Sequence, residues 1–479
     1  MTDVTELPDS GDRSLIEELL GETLFVEAGA GSGKTHSLVE RIVRLILNPD
    51  PIPLSQIAVI TFTEKAAAEL RHRIRIRLEK SLGEHHEESD RELAAEALRE
   101  LDGAAVATLH GFALRILSEH PLEAGLPPNF ETIDEISGQV VFRETFERFR
   151  DELFSDPEWG ETLLLADALG IDTDRDFYAL ADALENNWDL LQRIEPPALP
   201  EIDFSGLVND GEHLASRIDE HSGPGDRMTR LLEELREVVE HIAGGFDVIE
   251  QTAVLNGAGL SSGSRAGNSK YWPDIANIRE EYESFRAAVE KHRSQLVDFV
   301  LRRSTTRLSN FILDEVENRR LRGRLNFHDL LVFARDLLSD PIHGSVIRKR
   351  VHAKYRSLLI DEFQDTDPLQ IQIVTLVATS PDDPPQESWV DMVTRPGHLF
   401  FVGDPKQSIY RFRRADISLY MQAQQHHQSR EIRLLTNFRS GPQIIAWINE
   451  VFGNLIQYRP GSQPNYEPLV ANREAPPIG

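Results

Sequence analysis

The stretch Leu24-Phe25-Val26-Glu27-Ala28-Gly29-Ala30-Gly31-Ser32-Gly33-Lys34-Thr35 sets the reading of the whole chain. An apolar run leads into a glycine-rich turn, and a helix is expected to start near Lys34. Glycines let successive backbone N–H groups curl toward one anion, and the helix N-terminus adds partial positive charge. In this pattern Lys34 reaches the β- and γ-phosphates of a nucleotide and the Thr35 hydroxyl sits on Mg²⁺. The strict pattern opens with glycine, whereas Ala28 stands there in this chain. A flexible Gly-Ala-Ser turn is the alternative for the loop in isolation.

The remaining composition narrows the classes. At 479 residues the chain is too long for one core, and about two to four domains are expected. There are no cysteines, which excludes disulfides, thiolate metal sites and cysteine nucleophiles and fits a reducing, cytoplasmic setting. The first thirteen residues are polar and acidic, without a signal-peptide pattern. No apolar run approaches the ~20 residues of a membrane span. The net charge of −29 bears on solubility, because affinity for nucleic acid comes from local basic patches.

Six short apolar runs read as strands buried on both faces: Leu24–Val26, Ile57–Phe62, Ala104–Leu109, Leu358–Ile360, Leu399–Val402 and Ile432–Leu435. Helical patterns separate them. In Ala66–Leu78, Leu70, Ile74 and Leu78 recur at i+4. The fold class expected is α/β: a RecA-like parallel sheet around a phosphate loop. Strand signals vanish between about residues 125 and 325, where Arg227–Ile242 and Ile278–Phe299 have helical periodicity. That region reads as an inserted helical domain. Asn256–Ser269, rich in Gly and Ser, is expected to be a mobile loop, and Ser380–Gly397 a second irregular one.

A second chemical signal is the strand Leu358-Leu359-Ile360 ending in Asp361-Glu362. Asp361 is placed to hold Mg²⁺, and Glu362 to orient or deprotonate an attacking water. Two solvated acids at a strand end are the plain alternative.

The residues that follow carry a resemblance. Asp361-Glu362-Phe363-Gln364-Asp365-Thr366 resembles motif II of the UvrD/Rep-like superfamily 1 DNA helicases, particularly the RecB/AddA branch. Thr61-Phe62-Thr63-Glu64-Lys65-Ala66 is similar to motif Ia, and Thr108-Leu109-His110-Gly111-Phe112 to the next DNA-contacting motif. Asn326-Phe327-His328-Asp329 resembles the segment that re-enters the first motor domain. Val402-Gly403-Asp404-Pro405-Lys406-Gln407-Ser408-Ile409-Tyr410 is similar to motif III, and Asn437-Phe438-Arg439-Ser440 to motif IV. The motifs fall in the family's order across residues 13–445.

The resemblance implies an ATP- and Mg²⁺-dependent translocase moving, 3′ to 5′, on single-stranded DNA or on a duplex with a single-stranded tail, in repair or recombination. It also implies a nuclease or helicase partner subunit. In the ATP site it assigns residues 28–35, including Ala30, to phosphate binding. Thr35 and Asp361 take Mg²⁺, Gln407 senses the γ-phosphate, Arg439 adds positive charge there, and Phe438 stacks on adenine. On the DNA side it points to stacking by Phe62, Tyr410 and Phe412 and to contacts from Lys65, Thr108 and His110. Core packing is the alternative for each aromatic.

The expected organisation is a motor domain of residues 1–125 and 322–430, an insertion of 126–321, and the start of a second RecA-like domain from 431 to 479. The basic runs Arg71–Arg77 and Arg319–Arg324 read as solvated faces, and Arg411–Arg414 as a supplement to DNA binding. Two departures stand out. Arg13 occupies the place where relatives carry an adenine-reading glutamine, and the second domain's further arginine motif is not found. The chain therefore reads as the N-terminal part of a longer motor. A nucleotide- and DNA-binding half-motor without independent turnover is the alternative, and a small-molecule P-loop kinase is a third reading.

Overall fold

The structure, a computed structural model, describes residues 7–84, 87–198, 201–245, 247–384, 386, 388–426 and 430–473. Residues 1–6 and 474–479, and 385 and 387 in the second expected loop, lie outside the described residues. The chain divides into two compact units, residues 1–132 with 321–479, and residues 133–320.

The first unit is built on six strands: β1 (Leu24–Ala28), β2 (Ile57–Thr61), β3 (Ala105–Thr108), β4 (Ser357–Ile360), β5 (Leu399–Gly403) and β6 (Arg430–Leu434). They lie in the order β3-β2-β4-β5-β1-β6, and every neighbouring pair is parallel. Parallel strands covered on both faces must be apolar at successive positions, which is why these runs are continuous rather than alternating. Leu24 and Val26 face one way, into a core with Ile57, Val59, Leu359, Phe400 and Val402. The helices α1 (Ser10–Glu18), α2 (Lys34–Ile46) and α3 (Glu64–Glu84) add Ile16, Leu38, Ile42, Leu70, Ile74 and Leu78 to it. Phe25 faces the other way and packs edge-on against Phe363 at 5.6 Å and Tyr420 at 4.8 Å. Each fully buried Leu or Phe stabilises by ~1.5–3 kcal/mol, so covering both faces commits the sheet to this register.

All six expected strands form. The expected start of a second domain at residue 431 falls inside β6. Ile432 and Leu434 pair beside Val26 and Ala28 and are buried, so this strand closes the first sheet. Beyond it, β7 (Thr436–Asn437) pairs in parallel with β8 (Val470–Ala471) outside that sheet, with the helix Pro442–Leu455 between them.

The second unit is helical. Ile275–Arg322, of which Ile278–Phe299 was the legible part, runs as one helix of 48 residues. Phe311 stacks on Phe149 at 4.2 Å, with Phe142 and Phe146 alongside. Arg303 is buried, donating to the Thr162 hydroxyl at 3.0 Å and lying 4.5 Å over the Trp159 ring. The helix Arg227–Gly244 opens with a capping box on Asp226.

The Gly/Ser-rich segment 256–269 is fixed, contrary to expectation. Arg279 donates to the carbonyls of Ala266 and Gly267 at 2.6 and 2.8 Å. Glu283 accepts from the Gly263 N–H at 2.7 Å, and Asp226 from the Asn268 N–H at 2.8 Å. Glycine here permits close approach: a Cβ on Gly263 would come within 2.7 Å of the Tyr282 ring.

Candidate nucleotide and DNA site

In an open parallel sheet, ligands collect beyond the carboxyl ends of the strands. Every candidate residue lies at the last position of a strand or in the segment that leaves it: 28–35 at β1, 62–65 after β2, 108–110 at β3, 361–367 after β4, 404–412 after β5 and 435–439 after β6.

The loop after β1 has the form expected of a phosphate cradle. Gly31 (φ 74°) and Gly33 (φ 88°) are left-handed, a region that costs other residues ~1–2 kcal/mol. A Cβ on Gly31 would sit 2.8 Å from the Arg439 Cβ and 2.9 Å from Asn437 Nδ2. Ser32 is turned inward, its hydroxyl donating to the Gly29 carbonyl at 2.8 Å. Gly33 caps α2 without a side-chain bond, and no acidic residue stands in the first turn. An uncapped helix start beside positive-φ glycines suits a phosphate chain. Ala28 ends β1, fully buried, with its side chain in the core.

The strand-end acids face this loop. Lys34 Nζ donates to Glu362 Oε2 at 2.8 Å, and the same oxygen accepts from Gln364 Nε2 at 2.7 Å. Glu362 has φ 54° and ψ 43°, a conformation rare outside glycine that stores strain at functional positions. Asp361 is fixed by its N–H to the Ile60 carbonyl at 2.8 Å and by accepting the Glu362 N–H at 3.0 Å. Burial pushes its carboxyl up to about 6, with the Glu362 charge adding to the shift. Burial, with the Glu362 charge, raises Asp365 to about 6 as well. Such carboxyls, crowded and desolvated, suit a cation. The glycine cradle, the ammonium at its mouth and this acid pair together fit a nucleotide with Mg²⁺.

The segment after β6 closes over the loop. Asn437 Nδ2 donates to the Ala30 carbonyl at 2.5 Å, and the Phe438 N–H to that of Gly31 at 2.9 Å. Arg439 and Phe438 are exposed at this rim. Gln407 turns elsewhere, donating to Asp404 Oδ2 at 2.6 Å.

Several participants take roles that the sequence did not assign to them. Arg13 holds Asp9 through two bonds of 3.0 and 2.9 Å, donates to the Ser32 carbonyl at 2.8 Å, and lies 5.1 Å over the Phe438 ring. Asp9 accepts from the Leu435 and Thr436 N–H groups, both at 2.9 Å, and from the Thr436 hydroxyl at 2.7 Å. Glu27 pairs with Lys406, which also meets Asp404 at 3.1 Å. An acid inside an otherwise apolar buried strand was the available signal for Glu27. Its strand neighbour is Gly403, three residues before that lysine.

On the DNA side the structure gathers three aromatics. Phe62 meets Tyr410 at 4.7 Å and 34°, and Tyr410 meets Phe412 at 5.8 Å and 50°. Phe412 is 78% exposed, so core packing does not account for it. Lys65 is exposed. Thr108 is occupied otherwise: its hydroxyl donates to Glu64 at 2.7 Å and accepts the Gly111 N–H at 3.1 Å, capping the next helix. His110 lies edge-on to Phe327 at 5.6 Å, and burial, with His328 nearby, lowers its imidazole to about 4. At neutral pH it is an uncharged contact.

The arginines after motif Ia are used within the protein. Arg71 donates to the Val106 carbonyl, and Arg73, Arg75 and Arg77 pair with Glu69, Asp102 and Glu40. Arg319 pairs with Glu185, Arg320 with Glu317 and Arg324 with Glu131. Arg411 is exposed.

The family model for the UvrD/REP helicase N-terminal domain matches residues 11–428. Among curated proteins, the chain is similar to an ATP-dependent helicase/nuclease subunit of Pediococcus pentosaceus, 27% identical over 92% of this chain and 38% of the relative. It is similar to the same subunit of Listeria innocua, at 28% over 91% and 38%, and of Staphylococcus aureus, at 25% over 92% and 39%. The chain thus spans about two fifths of the length of these relatives. With the family model matched over most of its length, on a parallel sheet that carries the phosphate loop, the chain belongs to the UvrD/REP helicase N-terminal domain family.

Proposed function

We propose that this chain is the ATP-hydrolysing part of a DNA helicase that moves 3′ to 5′ along single-stranded DNA in repair or recombination. The observation that carries the reading is a juxtaposition on one sheet edge. The cradle and acids at the ends of β1 and β4 stand beside a loop, 404–412, that carries Tyr410 and Phe412 of the aromatic ladder, Phe412 exposed.

Residues 29–35 would wrap the phosphates, and Lys34 would leave Glu362 to meet them. Thr35 and Asp361 would hold Mg²⁺, which supplies charge neutralisation at the phosphates. Glu362, freed of its ammonium partner and held by Gln364, is the group placed to take a proton from water. Arg439, exposed at the rim, adds positive charge, and Gln407 reports on the site from Asp404. Phe438 would stack on the base, with Arg13 on its ring in place of the family's glutamine. Phe62, Tyr410 and Phe412 would stack on bases without reading sequence, while Lys65, Thr108 and His110 line the path.

Residues 1–125 with 322–434 serve as the motor domain and 126–321 as the inserted helical domain, and a second RecA-like domain follows β6. The relatives are named as one subunit of a helicase/nuclease, and a partner subunit is part of this proposal, as is a cytoplasmic location. No helix among the described residues is long and apolar enough to cross a membrane.

Steady-state ATP hydrolysis with single-stranded DNA tests the assignment. Lys34→Ala and Glu362→Gln are each expected to reduce turnover at least a hundredfold. Binding of nucleotide and DNA without turnover would favour the half-motor, and turnover unchanged in Lys34→Ala would overturn the site. Displacement of streptavidin from 3′- or 5′-biotinylated strands reads the direction.

A further inference from the structure

Gln364 is a buried amide that bonds both to the acids after β4 and to the loop after β5. It is 3% exposed. Its Nε2 donates to Glu362 Oε2 at 2.7 Å, and its Oε1 accepts the Asp404 N–H at 2.9 Å. Its backbone carbonyl accepts from the Ser408 hydroxyl at 3.1 Å. Loop 404–408 is thus fastened to Gln364 at two points, two residues before Tyr410, which packs on Phe62. The fit is close: a Cβ on Gly403 would come to 2.7 Å from Gln364 Oε1.

The other end of the amide meets a carboxylate that is poised to lose a partner. Lys34 and Gln364 donate to the same oxygen of Glu362. Glu362 holds a strained backbone that needs its surroundings to persist. An anion arriving in the cradle competes for Lys34 and leaves Gln364 as the remaining donor to that oxygen among the described residues. Because the N–H and C=O of an amide are fixed in one plane, turning its N–H toward a shifted Glu362 also turns the oxygen that holds the Asp404 N–H. The other bond here is to the first residue of the loop that carries the aromatic ladder.

We propose that Gln364 is a positioning residue that couples occupancy of the nucleotide cradle to the affinity of the aromatic ladder for single-stranded DNA. This rests on the function proposed above. Coupling between two ligands is reciprocal, so it can be read by binding alone, without turnover.

The test measures the affinity of a fluorescein-labelled oligothymidylate, by anisotropy, with and without a non-hydrolysable ATP analogue and Mg²⁺. It is done on the wild-type chain, on Gln364→Met, which keeps length and loses both bonds, and on Ser408→Ala. The wild type is expected to shift DNA affinity by ~5–150-fold, the usual range of such coupling, and Gln364→Met to shift it less than about twofold. Each ligand alone should bind Gln364→Met nearly as well as wild type, a pattern that loss of structure would not give. Should Gln364→Met fail to fold by circular dichroism, Ser408→Ala is expected to show a reduced shift, and a full shift in it overturns the proposal. An unchanged shift in Gln364→Met overturns the proposal, as does wild-type binding of both ligands without any shift. Wild-type binding of neither ligand overturns the function itself.

Discussion

Glycine at position 31 is required twice over, by its positive φ and by the 2.8 Å approach of Arg439. Gly31→Ala is expected to lower the melting temperature, as the left-handed conformation alone costs a side chain ~1–2 kcal/mol, and to weaken Mg²⁺–nucleotide binding as the loop shifts out of its cradle shape. Calorimetric titration checks this. His110, neutral because burial lowers it to about 4, would release no counterion where it meets DNA. His110→Gln should leave the salt dependence of DNA affinity unchanged, and a slope smaller by ~1 would show that a charge had been removed.

Asp9 also belongs to this scale. Burial raises its carboxyl, but the bonds from Arg13 and Thr436 outweigh that and hold it below its ordinary value. A carboxylate lower in the folded than in the unfolded state stabilises fully above its unfolded value of ~3.9, and this is lost as pH falls through the folded value. Asp9→Asn should therefore flatten the acid side of the stability curve, measured by urea unfolding from pH 6 down to pH 3.

The strands were legible because a parallel sheet covered on both faces leaves a continuous apolar run in the chain. Their pairing was not. Ile432–Leu435 reads the same whether it opens a new sheet or, as it does, closes the first beside Val26. Asp9 and Arg13 went unremarked as a unit because the groups they tie together lie up to 427 residues away, beyond any local pattern. The glycine-rich segment misled for a related reason: composition suggests mobility, but Arg279 and Glu283 lie on a helix further along the chain. The chemical residues were legible because each follows a strand end at short range. The engaged state of Thr108 and the alliance of Gln364 with Glu362 and Asp404 arise only in the folded chain.

Elements yield their own tests. Tyr410→Ala removes the middle of the ladder and is expected to weaken single-stranded DNA binding by ~1–3 kcal/mol, the range measured for one base stack, with nucleotide affinity unchanged. In the helical unit, Asp226 accepts from the Met228, Thr229 and Asn268 N–H groups and from Trp272 Nε1. It both caps a helix and fastens the glycine-rich segment. Asp226→Ala should destabilise by ~2 kcal/mol, the upper end for losing an N-cap, as read by thermal unfolding.

At the scale of the molecule, an acidic chain presents its working groups on one edge of one sheet. The glycine cradle, the acids and the aromatic ladder hang from neighbouring strands of one sheet. The most direct measurement is ATP hydrolysis by this chain titrated with single-stranded DNA, beside Tyr410→Ala. The account expects DNA to raise the turnover rate. Tyr410→Ala should need about 5- to 150-fold more DNA to reach half of that rise while attaining a similar maximum. Hydrolysis that proceeds at the same rate with and without DNA, in both proteins, would contradict it.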